Sequence, residues 1–150
     1  MNGSKKMVQE EGDVAIDVIH AYSRAQAIAD SLLVDASEMA REAGLRYPVA
    51  LTHAVYEQYV RVPEGVTGQD EEGRLWDILW MLYCGIRATP EPKVDSPLRV
   101  AYQTQYGSVL HFELLVRNDN RSPKLVELKA ICGPGDDPAP VITVMLPDED

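Results

Sequence analysis

Apolar positions follow two rhythms along this chain, and the change of rhythm divides it. The first half carries helical spacing; from residue 97 onward the period is two. The clearest helical signal runs from Asp70 to Arg87. Leu75, Ile78, Leu79, Leu82 and Ile86 recur at i, i+3, i+4, i+7 and i+11, and Trp76, Trp80 and Tyr83 widen the stripe. Asp70, Glu71 and Glu72 place negative charge where the helix dipole favours it, and Thr89, Pro90 and Pro92 end the run. So wide a stripe predicts a central helix packed on more than one side.

Shorter signals precede it. Ser23 is a plausible N-cap for an alanine-rich helix over 24–30. Leu32, Leu33 and Val34 form a brief apolar run that reads as a short strand or a buried connection. Asp35 and Glu38 have capping-box spacing, Ala36, Met39, Ala40 and Ala43 share one helical face, and Gly44 stands where a helix stops. Pro48 suits a helix start, and Leu51, Val55, Tyr59 and Val62 continue at helical spacing before a loop over 63–68.

Beyond residue 97, Leu98, Val100 and Tyr102 alternate with Arg99, Ala101 and Gln103 up to a turn at Tyr106-Gly107-Ser108. Leu110, Phe112, Leu114 and Val116 then alternate with His111, Glu113, Leu115 and Arg117. Turns over 118–123 and 133–138 set off a third strand, Leu125 to Cys132, and a fourth, Val141 to Leu146. The layout predicts an α+β fold, with N-terminal helices packed on one face of a C-terminal four-stranded antiparallel sheet. Residues 1–12 read as a disordered start and 13–150 as a single domain. In this arrangement Phe112 meets the helix that begins at Asp70.

Charge narrows the function classes. Of 150 residues, 14 are Lys or Arg and 24 are Asp or Glu, a net charge of −10. Such a chain repels nucleic acid and anionic membrane alike. Its basic residues are scattered, except for Arg117, Arg121, Lys124 and Lys129 around a predicted turn. The acidity suits attraction of a basic protein partner, mimicry of nucleic acid, or solubility alone. Cys84 and Cys132 sit in apolar runs and make no disulfide framework, which suits a reducing cytoplasm. The polar start has no signal-peptide core, and the run from Leu75 to Ile86 carries Asp77 and is too short to span a bilayer. These features predict a soluble cytoplasmic protein, whose open sheet edges could pair in a homodimer.

Candidate chemistry is sparse. His20, His53 and His111 lack metal-ligand spacing, so neither a metal nor a cofactor is expected. Gly133-Pro134-Gly135-Asp136-Asp137 reads as a hairpin turn in preference to an anion or calcium loop. Gly107-Ser108 lacks a nucleophile elbow, and Cys84 lies in an apolar helix that disfavours its thiolate. The most suggestive cluster opens the central helix: Asp70, Arg74, Trp76 and Asp77. Arg74 and Asp77 are spaced i, i+3 to pair, and Trp76 and Trp80, one turn apart, could anchor a partner. Two readings follow. One is a binding protein that uses Asp70, Arg74, Trp76 and Asp77. The other is a small enzyme with Asp35, Arg74, Asp77 and either His53 or His111 converging between helices and sheet.

Several strings carry a resemblance: residues 21–30, 33–38 and 40–44, Pro48-Val49-Ala50-Leu51-Thr52, Gln69-Asp70, Gly73-Arg74-Leu75-Trp76-Asp77-Ile78-Leu79, Cys132-Gly133-Pro134-Gly135-Asp136-Asp137 and Met145-Leu146-Pro147. Together, over roughly residues 20–148, the chain resembles an uncharacterised family of small acidic proteins encoded on bacterial plasmids, conjugative elements and phages, often near antirestriction genes. It departs at Ser31, where the family commonly has Gly, and in a variable insert over 88–108. The resemblance brings no catalytic residue. It implies a mobile-element habitat and no mechanism. Together with the acidic surface and the lack of a catalytic set, it favours a binding protein that modulates a host system, a defence complex among the candidates, through protein–protein contact.

Overall fold

Val49, Ala50 and Leu51 are fully buried, and they form a strand instead of the helix start that Pro48 suggests. The computed structural model describes residues 22–88, 101–105 and 107–149; the start over 1–12, Val14 to His20, Leu98 and Val100 lie outside them. Within these residues the chain is α+β. Its helices are α1 (Arg24–Ala29), α2 (Ser37–Ala43), α3 (His53–Val55), which runs on as a π-helical turn over Tyr56–Val60, and α4 (Glu71–Ala88). Its strands are β1 (Leu33–Asp35), β2 (Val49–Thr52), β3 (Ala101–Thr104), β4 (Gly107–Val116), β5 (Lys124–Pro134) and β6 (Pro140–Met145).

Strands β3 to β6 make the antiparallel meander that the period-two pattern predicts. The sheet is larger than that meander, however. It has six strands in the order β1-β2-β6-β5-β4-β3, and β2 runs parallel to β6. The predicted four-stranded antiparallel sheet is therefore corrected to a mixed sheet, and the helix predicted from Pro48 to a strand followed by a helix. The physical reason is burial: a strand covered on both faces loses its alternation and reads as a plain apolar run. Thr52 then caps α3, its Oγ1 accepting from the Val55 amide at 3.3 Å, and only beyond it is the helical spacing realised.

The helix ends follow their local signals. Ser23 caps α1 by accepting from Gln26 N at 2.9 Å. Gly44 ends α2 with φ +106°, and a Cβ there would lie 2.8 Å from Tyr83 Cε1, so α2 and α4 approach closely at this point. The capping box expected of Asp35 and Glu38 is replaced: Asp35 Oδ1 accepts from Ser37 N at 3.1 Å and Ser37 Oγ at 2.6 Å, with Ala36 at the N-cap.

One face of the sheet carries the core. Phe112, Leu114 and Val116 of β4, Leu128 and Ala130 of β5, Ile142 and Val144 of β6, and Val49 and Leu51 of β2 form it with Ile78, Leu79 and Leu82 of α4. α4 packs closely on β4 at Gly85, where an added Cβ would be 3.5 Å from both Leu110 and Phe112. Ile86, expected in this contact, is exposed instead. The helices do not all share that face. Arg24 of α1 donates to Thr143 Oγ1 at 2.7 Å, and Thr143 alternates with the core residues Ile142 and Val144, so α1 sits on the reverse side. Gly107, with φ +132°, enters β4 so near β5 that a Cβ would fall 2.1 Å from the Cys132 carbonyl oxygen.

Phe112 is the chain's only phenylalanine and is 6% exposed. Phe112→Ala is expected to cost about 3–5 kcal/mol through the cavity it leaves. His111 points to the reverse face, and His111→Ala should cost about 1 kcal/mol or less. Urea melts of the two variants check the difference.

Candidate functional site

Arg74 sits one turn inside α4 and is 5% exposed, yet no carboxylate meets it among the described residues. Its guanidinium binds neutral oxygens from three directions. Nε donates to the Val60 carbonyl at 3.1 Å, at the end of the π-helical turn. Nη1 donates to Gln69 Oε1 at 3.0 Å and to the Arg117 carbonyl at 2.8 Å, and Nη2 to Asn118 Oδ1 at 2.6 Å. Burial lowers its pKa, and the like charge of Arg117 acts in the same direction. Arg117 is itself turned away, onto the Asp119 carbonyl and Asn120 Oδ1.

The same network ties the loop before α4 to the β4–β5 turn. Asn118 Nδ2 donates to the Gln58 carbonyl at 3.0 Å, and Asn120 Nδ2 to that of Gly65 at 2.7 Å. Gln69 Nε2 donates to the Arg117 carbonyl at 2.7 Å. Carbonyls left free at a helix end and in a glycine loop thus find side-chain donors.

Because Arg74 faces inward, the predicted Arg74–Asp77 pair does not form. The spacing i, i+3 allows it, but Arg74 also lies at i, i+4, i+8 with the fully buried Ile78 and Leu82, and that line turns it to the core. Asp77 lies on the exposed side of α4, with no ion-pair partner among the described residues. Desolvation by its neighbours raises its carboxyl pKa, and the Arg74 charge opposes this only in part. Asp70 acts locally, where its Oδ1 accepts from Gly73 N at 2.7 Å and starts α4.

Beside Asp77 runs an aromatic ladder. Trp76 and Trp80 stack with centroids 6.1 Å apart and planes 9° apart; Trp80 and Tyr83 follow at 5.4 Å and 24°. Arg87 covers the far end, its guanidinium carbon 5.8 Å from the Tyr83 centroid. Trp76 packs partly against the core, whereas Trp80 is 43% exposed, with Met81 and Ile86 also open. The expected anchoring role thus divides: Trp76 is half core, and Trp80 presents the surface.

The residues of the enzyme reading do not converge. Asp35 binds Ser37, and the His53 amide donates to the Leu32 carbonyl beside β1. His111 lies on the reverse sheet face, its Nδ1 2.6 Å from Glu127 Oε2 and its Nε2 3.3 Å from the Tyr102 hydroxyl. The sheet therefore separates His111 from Arg74 and Asp77. Sequence alone does not disclose this Tyr102–His111–Glu127 row, since it needs the register that sets β3 and β5 on either side of β4. Asp136 and Asp137 hold their own fold: Asp136 accepts from the Arg24 and Ala25 amides, and Asp137 from Ala139 N. Cys84 and Cys132 are free thiols, and burial raises the pKa of Cys132. Among the described residues no group of three or more His, Cys, Asp or Glu is placed to hold a metal ion, and no helix is long and apolar enough to cross a membrane.

Arg74 and Asp77 should affect stability in opposite directions. Arg74→Met should cost about 2–4 kcal/mol, since it strands oxygens that a charged donor now satisfies. For Asp77, a carboxyl pKa raised on folding makes the folded state hold a proton that the unfolded chain releases. Its cost is therefore absent below the unfolded value of about 4, grows as pH rises through the raised folded value, and is complete above it. Asp77→Asn should melt higher than the wild type at pH 7, and the gain should vanish at pH ~3; thermal melts across that range check it.

Neither a curated protein nor a solved structure matches this chain. One family model matches residues 13–150, and the chain belongs to that family, a family of unknown function (DUF6573).

Proposed function

We propose that this protein is a non-enzymatic binding module that docks a protein partner against the outer face of α4. In this reading it serves a bacterial mobile element, as the resemblance implies, and acts in the cytoplasm on a host system, a defence complex among the candidates. One observation carries the docking face: Trp80 is 43% exposed while held between Trp76 and Tyr83. A large indole open to water favours burial by a partner, and tryptophan is enriched among residues that dominate interface energies. The ladder also holds the ring in place before binding, which lowers the entropy lost on association. Met81 is also exposed, one residue further along the helix.

The net charge of −10 supports a protein partner over nucleic acid or an anionic membrane. The enzyme reading has less support, because its residues lie on separate parts of the fold. Pull-downs from a bacterial host lysate, run with the wild type and Trp80→Ala side by side, test the docking face. A partner retained by the wild type should be lost with the variant. Retention of the same proteins by both would contradict the reading.

A further inference from the structure

The α4 face combines an aromatic ladder with a carboxylate that has no ion-pair partner among the described residues, and that combination selects a partner's chemistry. We infer that this face takes a basic peptide segment, with an arginine side chain held between the Asp77 carboxylate and the Trp80 ring. The inference rests on the docking face proposed above and names what docks there.

Three observations support it. Asp77 lies three residues before Trp80 and four before Met81, so carboxylate, indole and thioether share one stretch of helix surface. The basic residue nearest Asp77 on the helix, Arg74, is committed to four oxygens in the interior. Asp77 is thus left without an ion-pair partner among the described residues, in surroundings that partly desolvate it.

The far end of the ladder shows what its rings accept. Arg87 already lies over Tyr83, with Nη1 3.3 Å from the hydroxyl. Trp80 is a better cation–π acceptor than tyrosine and is more open. Charge agrees: Glu71 and Glu72 are exposed in the first turn of the same helix, on a chain of net charge −10. A purely apolar occupant would bury Asp77 unpaired, and an acidic one would set like charges together, so both are disfavoured. Arginine fits better than lysine, because its planar guanidinium can stack on the indole while it pairs with the carboxylate through two N–H groups.

The test uses isothermal titration of the full chain with three synthetic amphipathic peptides that differ only in carrying arginine, lysine or glutamine on the polar face. The arginine peptide should bind at least about tenfold more tightly than the glutamine peptide. Asp77→Asn should close most of that gap, and Trp80→Ala should weaken both peptides; circular dichroism verifies that the variants are folded. Equal binding of all three peptides, unaffected by Asp77→Asn but lost in Trp80→Ala, would overturn the arginine site and leave the docking face standing. Arginine-peptide binding that survives both substitutions and fades only with salt would show attraction to the general charge and overturn the site. Absence of binding by every peptide would also overturn it, with the docking face then judged by the pull-down alone.

Discussion

A buried guanidinium cannot shed its proton, so the fold around Arg74 must supply oxygen on every side of it. The oxygens come from the π-helical turn, the residue two before α4, and the β4–β5 turn. Two of these segments precede Arg74 closely and the third lies far along the chain, and all must be in place together for the charge to be tolerated. The result reaches the surface. With Arg74 inward, α4 is fixed in rotation: Ile78 and Leu82 face the core, while Trp80 and Asp77 face solvent. The features that suggest binding are thus the outward consequence of an inward commitment.

A second long-range constraint joins the halves of the chain. Strand β2 pairs in parallel with β6, setting Val49 beside Ile142 and Leu51 beside Val144. The Ile142 amide reaches back to the Pro48 carbonyl at 2.8 Å. This pairing places β1 and β2 on the end of the C-terminal meander and makes one sheet of two separate sequence regions. Arg24 reinforces it from the reverse side, through Thr143 and the Ile142 carbonyl.

What is legible in the sequence is what depends on near neighbours. Ser23, Gly44 and the acids at the start of α4 mark helix ends through local hydrogen bonds and dipoles, and the meander strands alternate because one face is core and the other is more open. Strand β2 is hidden because its partner lies at the far end of the chain. The site is legible in composition but not in pairing. The cluster Asp70, Arg74, Trp76 and Asp77 is there, but its members act separately. Asp70 starts the helix, Arg74 holds the interior, Trp76 joins the core, and Asp77 is left outside. The one local clue is Arg74 standing in line with Ile78 and Leu82. Asn118 and Asn120, which complete the network, look like ordinary turn residues until the fold brings them to Arg74 and the loop.

Arg74 belongs to the β4–β5 turn and not to Asp77. Paired double-mutant cycles in urea test it most directly, one combining Arg74→Met with Asn118→Ala and the other combining Arg74→Met with Asp77→Asn. The predicted coupling is about 1–2 kcal/mol for Arg74 with Asn118, and about 0.5 kcal/mol or less for Arg74 with Asp77. The reverse order, with strong coupling to Asp77 and none to Asn118, would contradict it.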